Sequence, residues 1–154
     1  MELTNSFEIP VSLDDAFEVL LDVERVVPCF PGAELVDVVD PQTFRCKVTM
    51  RLGPIALTFK GNVKFVEVDK VAKVAEISLH GVDDKGRGGA DATVRFRLSG
   101  DLQNTHVDVL TTLTLTGMVA QYGRASGIIS GVAGELTRRF AANLRDALLK
   151  TPRG

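Results

Sequence analysis

The sequence predicts an α+β domain: one strongly curved antiparallel sheet of seven strands closed around a long C-terminal helix. Three observations carry this. From Ala33 to Thr116 apolar residues recur at every second position, the period of strands with one dry and one wet face. From Gly117 to Leu149 the spacing changes to three and four, and Ala125, Ile129, Val132, Leu136, Phe140, Leu144 and Leu148 form one apolar stripe. The order is strand, two short helices, six strands, long helix. A sheet and a helix with one apolar side each can bury those sides against one another.

Leu3, Phe7 and Ile9 mark the first strand, which ends at Pro10. Ser12 is placed to cap a helix, with Asp14 and Asp15 in its first turn, where the helix dipole favours acids. Ala16, Phe17, Leu20 and Leu21 give that helix its apolar face. A second helical piece, 22–27, stops at Pro28 and leads into the loop Pro28-Cys29-Phe30-Pro31-Gly32. After a strand over 33–39, alternation marks five more. Their dry residues include Phe44 to Leu52, Ile55 to Phe65, Ala75 to Leu79, Ala90 to Leu98 and Val107 to Leu115 at every second position. Turns at Asp40-Pro41-Gln42, Val68-Asp69-Lys70 and Gly100-Asp101-Leu102 separate strands. In the C-terminal helix, Gly123, Gly127 and Gly131 share a ridge without side chains. That ridge either admits the sheet closely or leaves space and makes this end of the helix pliable.

At 154 residues the chain fits a single domain over 1–150, with 151–154 a short tail. A net charge of −2 offers no electrostatic case for nucleic acid. No apolar run reaches the ~20 residues of a membrane span. The start, Met1 to Ser6, lacks the regions of a signal peptide, so a cytoplasmic location is expected. Two cysteines are too few for a disulfide framework or a metal site.

Antiparallel strands reverse at each turn, which sorts the connectors into two ends. The tight turns share one end. The other collects Pro28 to Gly32, Leu52-Gly53-Pro54, Gly81 to Gly89 and Gly117 to Gly123, with most of the 14 glycines. This end is expected to be the mouth of an interior cavity, since functional loops gather on rigid scaffolds.

Several motifs bear a resemblance to a known family. They are Phe30-Pro31-Gly32-Ala33-Glu34, Leu52-Gly53-Pro54-Ile55 with Phe59-Lys60-Gly61, and Gly81-Val82-Asp83 leading to Gly86-Arg87-Gly88-Gly89-Ala90. Thr116-Gly117-Met118-Val119-Ala120-Gln121-Tyr122-Gly123-Arg124 completes the set. In order and spacing they resemble the CoxG family of carbon monoxide dehydrogenase, over Phe7 to Leu149, and the element order resembles the helix-grip fold of the START and Bet v 1-like superfamily. The resemblance implies an accessory protein of molybdenum hydroxylases that recruits the dehydrogenase to the cytoplasmic membrane, making it peripheral there. Family members often continue into a tail proposed to hold the membrane; this chain ends at Gly154.

From the residues alone, the dry face reads most simply as a packed core. The fold resemblance turns that reading toward an apolar cavity. The expected lining is Phe44, Met50, Phe59, Ile77, Leu79, Ala92, Val94, Phe96, Val109, Leu113 and Tyr122 with Ile129, Val132 and Leu136 of the helix. Ala75, Ala90 and Ala92 leave room. Contact with a partner or a membrane is expected through Phe30, Pro54, Ile55, Arg87, Tyr122 and Arg124. Net +3 over the last twenty residues fits a solvated helix face or an anionic surface.

Catalytic chemistry finds little support. His80 and His106 fall on the wet parity, and neither has a second ligand at metal spacing. Cys46 is a small dry-face hydrophobe, and Cys29 a loop thiol with nothing to activate it. Gly86-Arg87-Gly88-Gly89 precedes a strand and lacks the Lys-Ser/Thr of a phosphate loop, so a lid, a docking loop or a wide hairpin is expected. The reading that follows is non-catalytic, without a covalent cofactor or metal. The protein would hold a hydrophobic small molecule, a quinone or lipid, and serve a molybdenum-containing dehydrogenase. Two alternatives stand beside it. One is a cyclase-like enzyme acting on an aromatic or polyketide, for which Thr111 is the one dry-face hydroxyl identified; the other is an interaction module with a closed core.

Overall fold

The computed structural model describes residues 1–123 and 127–150. Its strands are β1 (Glu2–Ile9), β2 (Ala33–Asp40), β3 (Thr43–Leu52), β4 (Ile55–Asp69), β5 (Val74–Asp83), β6 (Gly88–Gly100) and β7 (Thr105–Thr116). They form one antiparallel sheet in the order β1-β7-β6-β5-β4-β3-β2. All seven expected strands are present. Helices α1 (Leu13–Leu21) and α2 (Val23–Val26) follow β1, and a 3-10 turn, Val27–Cys29, carries Pro28 where a plain stop was expected. Ser12 caps α1, its hydroxyl accepting from the Asp15 amide at 3.2 Å.

The tight turns share one end and are tied by aspartates. Asp40 Oδ1 accepts from the Gln42 amide at 2.8 Å, Asp69 Oδ1 from the Ala72 amide at 2.9 Å, and Asp101 Oδ1 from the Gln103 amide at 2.8 Å. Register shifts in β2 and in β4 at Phe65/Glu67 bend the sheet locally.

The C-terminal segment departs from the single helix expected. A short α3 (Gly117–Tyr122) precedes α4 (Ile128–Lys150). Gly127 has φ +81°, a left-handed conformation that a right-handed helix does not pass through. The three glycines therefore do not form one ridge. A Cβ on Gly123 would sit 3.0 Å from both Ile129 Cδ1 and Leu115 Cδ1, so the chain is tightly packed there, whereas at Gly131 it would meet nothing within 4 Å. Ala125, expected on the stripe, lies outside the described residues, as does 151–154.

The interior divides into separate buried clusters. One, at the tight-turn end, joins Phe7 and Ile9 of β1, Ala16, Phe17 and Leu20 of α1, and Phe140 and Leu144 of α4. Phe7 meets Phe140 edge-on at 5.7 Å. A second, at the Gly-rich end, joins Leu52, Leu57, Val119 and Ile129. A third gathers Val23, Phe44 and Cys46, with Phe65 edge-on to Phe44 at 6.2 Å.

Candidate functional site

Between these clusters part of the inward face stays accessible to solvent. Ile77 lies opposite Val94, and Leu79 opposite Ala92, across β5 and β6 on the inward side. These four and Leu136 of α4 are half-buried, and none packs into any of the three clusters. An inward apolar panel facing a helix is buried when the space between is filled. Here the panel stays solvent-accessible, with Ala92 contributing only a methyl group.

The other expected lining residues flank this panel. Met50, Phe59, Leu113, Tyr122 and Val132 are half-buried against the second cluster, in which Ile129 is itself buried. Phe96 and Val109 pack on the first cluster, and Phe44 is buried in the third. Phe44 and Ile129 thus fill the ends of the interior rather than face its open middle. Two half-buried polar side chains have the inward parity on β7 and β1. Thr111 was expected there; Asn5 was not, although it has the inward parity of Leu3 and Phe7. Leu3 pairs with Thr111 and Asn5 with Val109, so the two polar groups are diagonal neighbours.

The Gly-rich end is held by a carboxylate that sequence reasoning missed. Asp83 is 4% exposed. Its Oδ2 accepts from Arg87 Nε at 2.8 Å and from the amides of Lys85 and Arg87 at 3.2 Å; its Oδ1 accepts from Arg87 Nη2 at 3.0 Å. The guanidinium also donates to the Ala56 carbonyl at 2.8 Å, and the Arg87 carbonyl accepts from the Val119 amide at 2.9 Å. The Arg87 hydrogen bond, ahead of the amides, holds the Asp83 carboxyl well below the usual carboxylate range. One ion pair thereby ties the β5–β6 loop to the start of β4 and to α3. Gly88 and Gly117 close the same seam: a Cβ on Gly88 would lie 2.0 Å from the Thr116 carbonyl oxygen. The loop expected to be a lid, a docking loop or a wide hairpin is latched by this ion pair. An aspartate and an arginine four apart across a glycine turn were the available signal.

The residues expected at the contact surface do not share one surface. Pro54 is exposed. Phe30 is not a loop tip: it is half-buried on the first cluster, its ring 6.3 Å from Phe140. Asn143 Nδ2 donates to the Cys29 carbonyl at 2.9 Å and fixes that turn to α4. Ile55 packs into the second cluster. Arg87 is engaged by Asp83, Tyr122 is half-buried beside Ile129, and Arg124 lies outside the described residues. The exposed apolar groups at this end include Val82 and Met118, 51% and 49% exposed.

His80 and His106 lie on the outer face. His80 pairs with Asp91, and His106 with Glu8 at 2.5 Å and Asp108 at 3.0 Å. Those carboxylates, Glu8 first, raise the His106 pKa. Cys29, expected as a loop thiol, is buried; burial pushes its pKa up and outweighs the opposing charge of Arg25. Cys46 is buried and raised for the same reason. Among the described residues no group of three His, Cys, Asp or Glu could hold a metal ion, and no helix is long and apolar enough to cross a membrane.

Similarity to known proteins extends over nearly the whole chain. The family model for CoxG of carbon monoxide dehydrogenase matches residues 6–149. No curated protein matches the chain. Among solved structures, a conserved protein from Geobacillus kaustophilus superposes with a TM-score of 0.84 at 14% identity, covering 97% of this chain and 96% of its own. The Zhui aromatase/cyclase from Streptomyces sp. R1128 gives 0.66 at 12% identity, over 96% and 93% of the two chains. A START superfamily protein from Mycobacterium smegmatis gives 0.61 at 13% identity, over 97% of each. The fold is that of the START and Bet v 1-like proteins, as the element order implied.

Proposed function

This chain belongs to the CoxG family of carbon monoxide dehydrogenase, and from that membership we propose a non-catalytic accessory protein that carries a quinone or lipid between sheet and α4. In this role it links a molybdenum-containing dehydrogenase to the cytoplasmic membrane, at which it is peripheral. The observation that carries the reading is that inward Ile77, Leu79, Ala92 and Val94, with Leu136 of α4, stay half-buried and join none of the buried clusters. Apolar walls with a few placed polar groups suit a hydrophobic ligand. Electrons leaving such a dehydrogenase need an acceptor that dissolves in the bilayer, and a quinone meets that need. Asn5 and Thr111 can donate to a carbonyl on a bound head group, and neither can act as an acid or base near neutral pH. Val82, Met118 and Pro54 offer an apolar rim to the dehydrogenase or the membrane.

The test is direct. Native mass spectrometry of protein purified from its own organism should show a co-purifying quinone or lipid. Titration of delipidated protein with a short-chain quinone should quench Tyr122, the single tyrosine in a chain without tryptophan. A protein that carries nothing and shows no quenching would leave the closed-core reading in its place.

A further inference from the structure

The polar side chains on the inward side of the sheet fall into two kinds. Thr105 donates to the Val11 carbonyl at 3.0 Å, and Asp83 is closed by Arg87. Asn5 and Thr111, by contrast, form no side-chain hydrogen bond with another described residue. Both are half-buried, and Thr111 stands directly opposite Val94 of the panel. Asn5 Oδ1 lies 3.9 Å from where a Cβ on Gly134 would stand, so the glycine leaves that oxygen uncrowded on the helix side. Charge is nearly absent from this interior. The strand pairings put one charged residue on the inward side, Asp83. The residues that α4 buries, Ile129, Phe140, Ala141 and Leu144, are apolar. Arg138 and Arg145, which line a groove with Asn5, are exposed, and Arg138 is paired with Glu135.

We propose that, in the carrier role on which this inference rests, Asn5 and Thr111 form a head-group subsite for an uncharged amphiphile. The pair takes one oxygen of the ligand, a carbonyl or a hydroxyl alike, and rejects an anionic head. A carboxamide and a hydroxyl can each donate and accept. Facing a carbonyl, both donate; facing a hydroxyl, one donates and the other accepts. The same two residues therefore hold a quinone and its hydroquinone. Diagonal neighbours on one face stand about 7–8 Å apart, and two hydrogen bonds of about 2.9 Å each to a shared oxygen fit that gap. A carboxylate or phosphate in the same place would lie in an apolar interior without a countercharge, which is strongly unfavourable. Arg87 cannot supply one, because Asp83 and the Ala56 carbonyl already engage its guanidinium.

The experiment titrates the full chain, delipidated and labelled for amide NMR, with matched probes. They are a fully substituted hexylquinone, its hydroquinone, hexylbenzene, 4-hexylbenzoate and dihexanoyl phosphatidylglycerol. The quinone and hydroquinone should bind within about threefold of each other, and hexylbenzene about tenfold more weakly. The benzoate and the phosphatidylglycerol should bind more weakly than hexylbenzene. Thr111→Val and Asn5→Leu should each weaken the quinone and the hydroquinone about three- to tenfold and leave hexylbenzene unweakened. Retained hexylbenzene binding shows that the interior of each variant is intact. The subsite is overturned, with the carrier role left standing, if both variants bind the quinone as wild type does. It is equally overturned if either anionic probe matches the quinone, or if quinone and hydroquinone differ by more than about thirtyfold. Equal weakening of hexylbenzene would reduce both residues to structural ones and overturn it too. If no probe binds wild type, the carrier role fails and the subsite falls with it.

Discussion

Replacing Ala92 by leucine separates an open interior from a filled one. Ala92 is half-buried on the inward face between Leu79 and Leu113, and packs against no buried cluster. The change adds three carbons, each contributing about 0.8 kcal/mol when buried, so complete burial would stabilise by about 2.4 kcal/mol. In a space that stays partly accessible, about 1 kcal/mol of stabilisation or a neutral result is expected. A core already at native density would instead lose about 1–3 kcal/mol to strain. Urea unfolding reads the difference as a change in midpoint at constant slope. The reference is Leu57→Ala, at a site 0% exposed, where a loss of about 2–5 kcal/mol is expected. Quinone quenching of Tyr122 should weaken in the Ala92→Leu protein, because the added side chain occupies ligand space. A destabilisation of Ala92→Leu comparable to that of Leu57→Ala would refute the open interior.

Phe30→Asp should cost about 2 kcal/mol, since it removes a half-buried ring from Phe140; an unchanged melting temperature would return Phe30 to the free surface. His106 should titrate above its ordinary 6.5 by NMR, and Glu8→Gln should lower that midpoint. Because the folded value is raised, its contribution to stability is full below the unfolded pKa and is lost as pH rises through the folded one; melts of wild type and His106→Gln should converge at high pH. Asp83 behaves in the opposite sense: its contribution is present above the unfolded carboxylate value and is lost as pH falls through the depressed folded value. Asp83→Asn should speed hydrogen exchange at the Lys85, Arg87 and Val119 amides, while exchange at Leu144 stays slow.

What could be read from the sequence followed from periodicity. Alternation through Phe44 to Leu115 identified the strands because one face of each is dry, and parity put Ile77, Leu79, Ala92 and Val94 on the same side of the sheet as buried Ala75 and Leu98. Spacing did not reveal that Gly127 turns left-handed, because apolar residues at three and four continue across the break. Phe30 and Ile55 looked like loop tips through neighbouring proline and glycine; their burial depends on α4 and α3, more than sixty residues away in the chain. Arg87 was expected at a contact surface and Asp83 was given no role, because a glycine-rich turn gives no sign that the carboxylate is buried and that the guanidinium folds back onto it and the Ala56 carbonyl. Asn5 was passed over because a polar residue in a short edge strand is usually wet.

The pairing of β1 with β7 sets a timetable for biosynthesis. Glu2 has Thr112 as its partner, so the first strand leaves the ribosome long before its hydrogen-bonding neighbour. At roughly 5–20 residues per second the interval is roughly 5–20 s. Over that time Phe7 and Ile9, later buried under α4, have no native cover. The meander β2 to β6 can assemble hairpin by hairpin while β1 waits. Closure therefore belongs to the end of synthesis, and non-local pairing of this kind makes it slow. A nascent chain halted before Thr105 should bind a chaperone through residues 2–9, and release should coincide with emergence of β7.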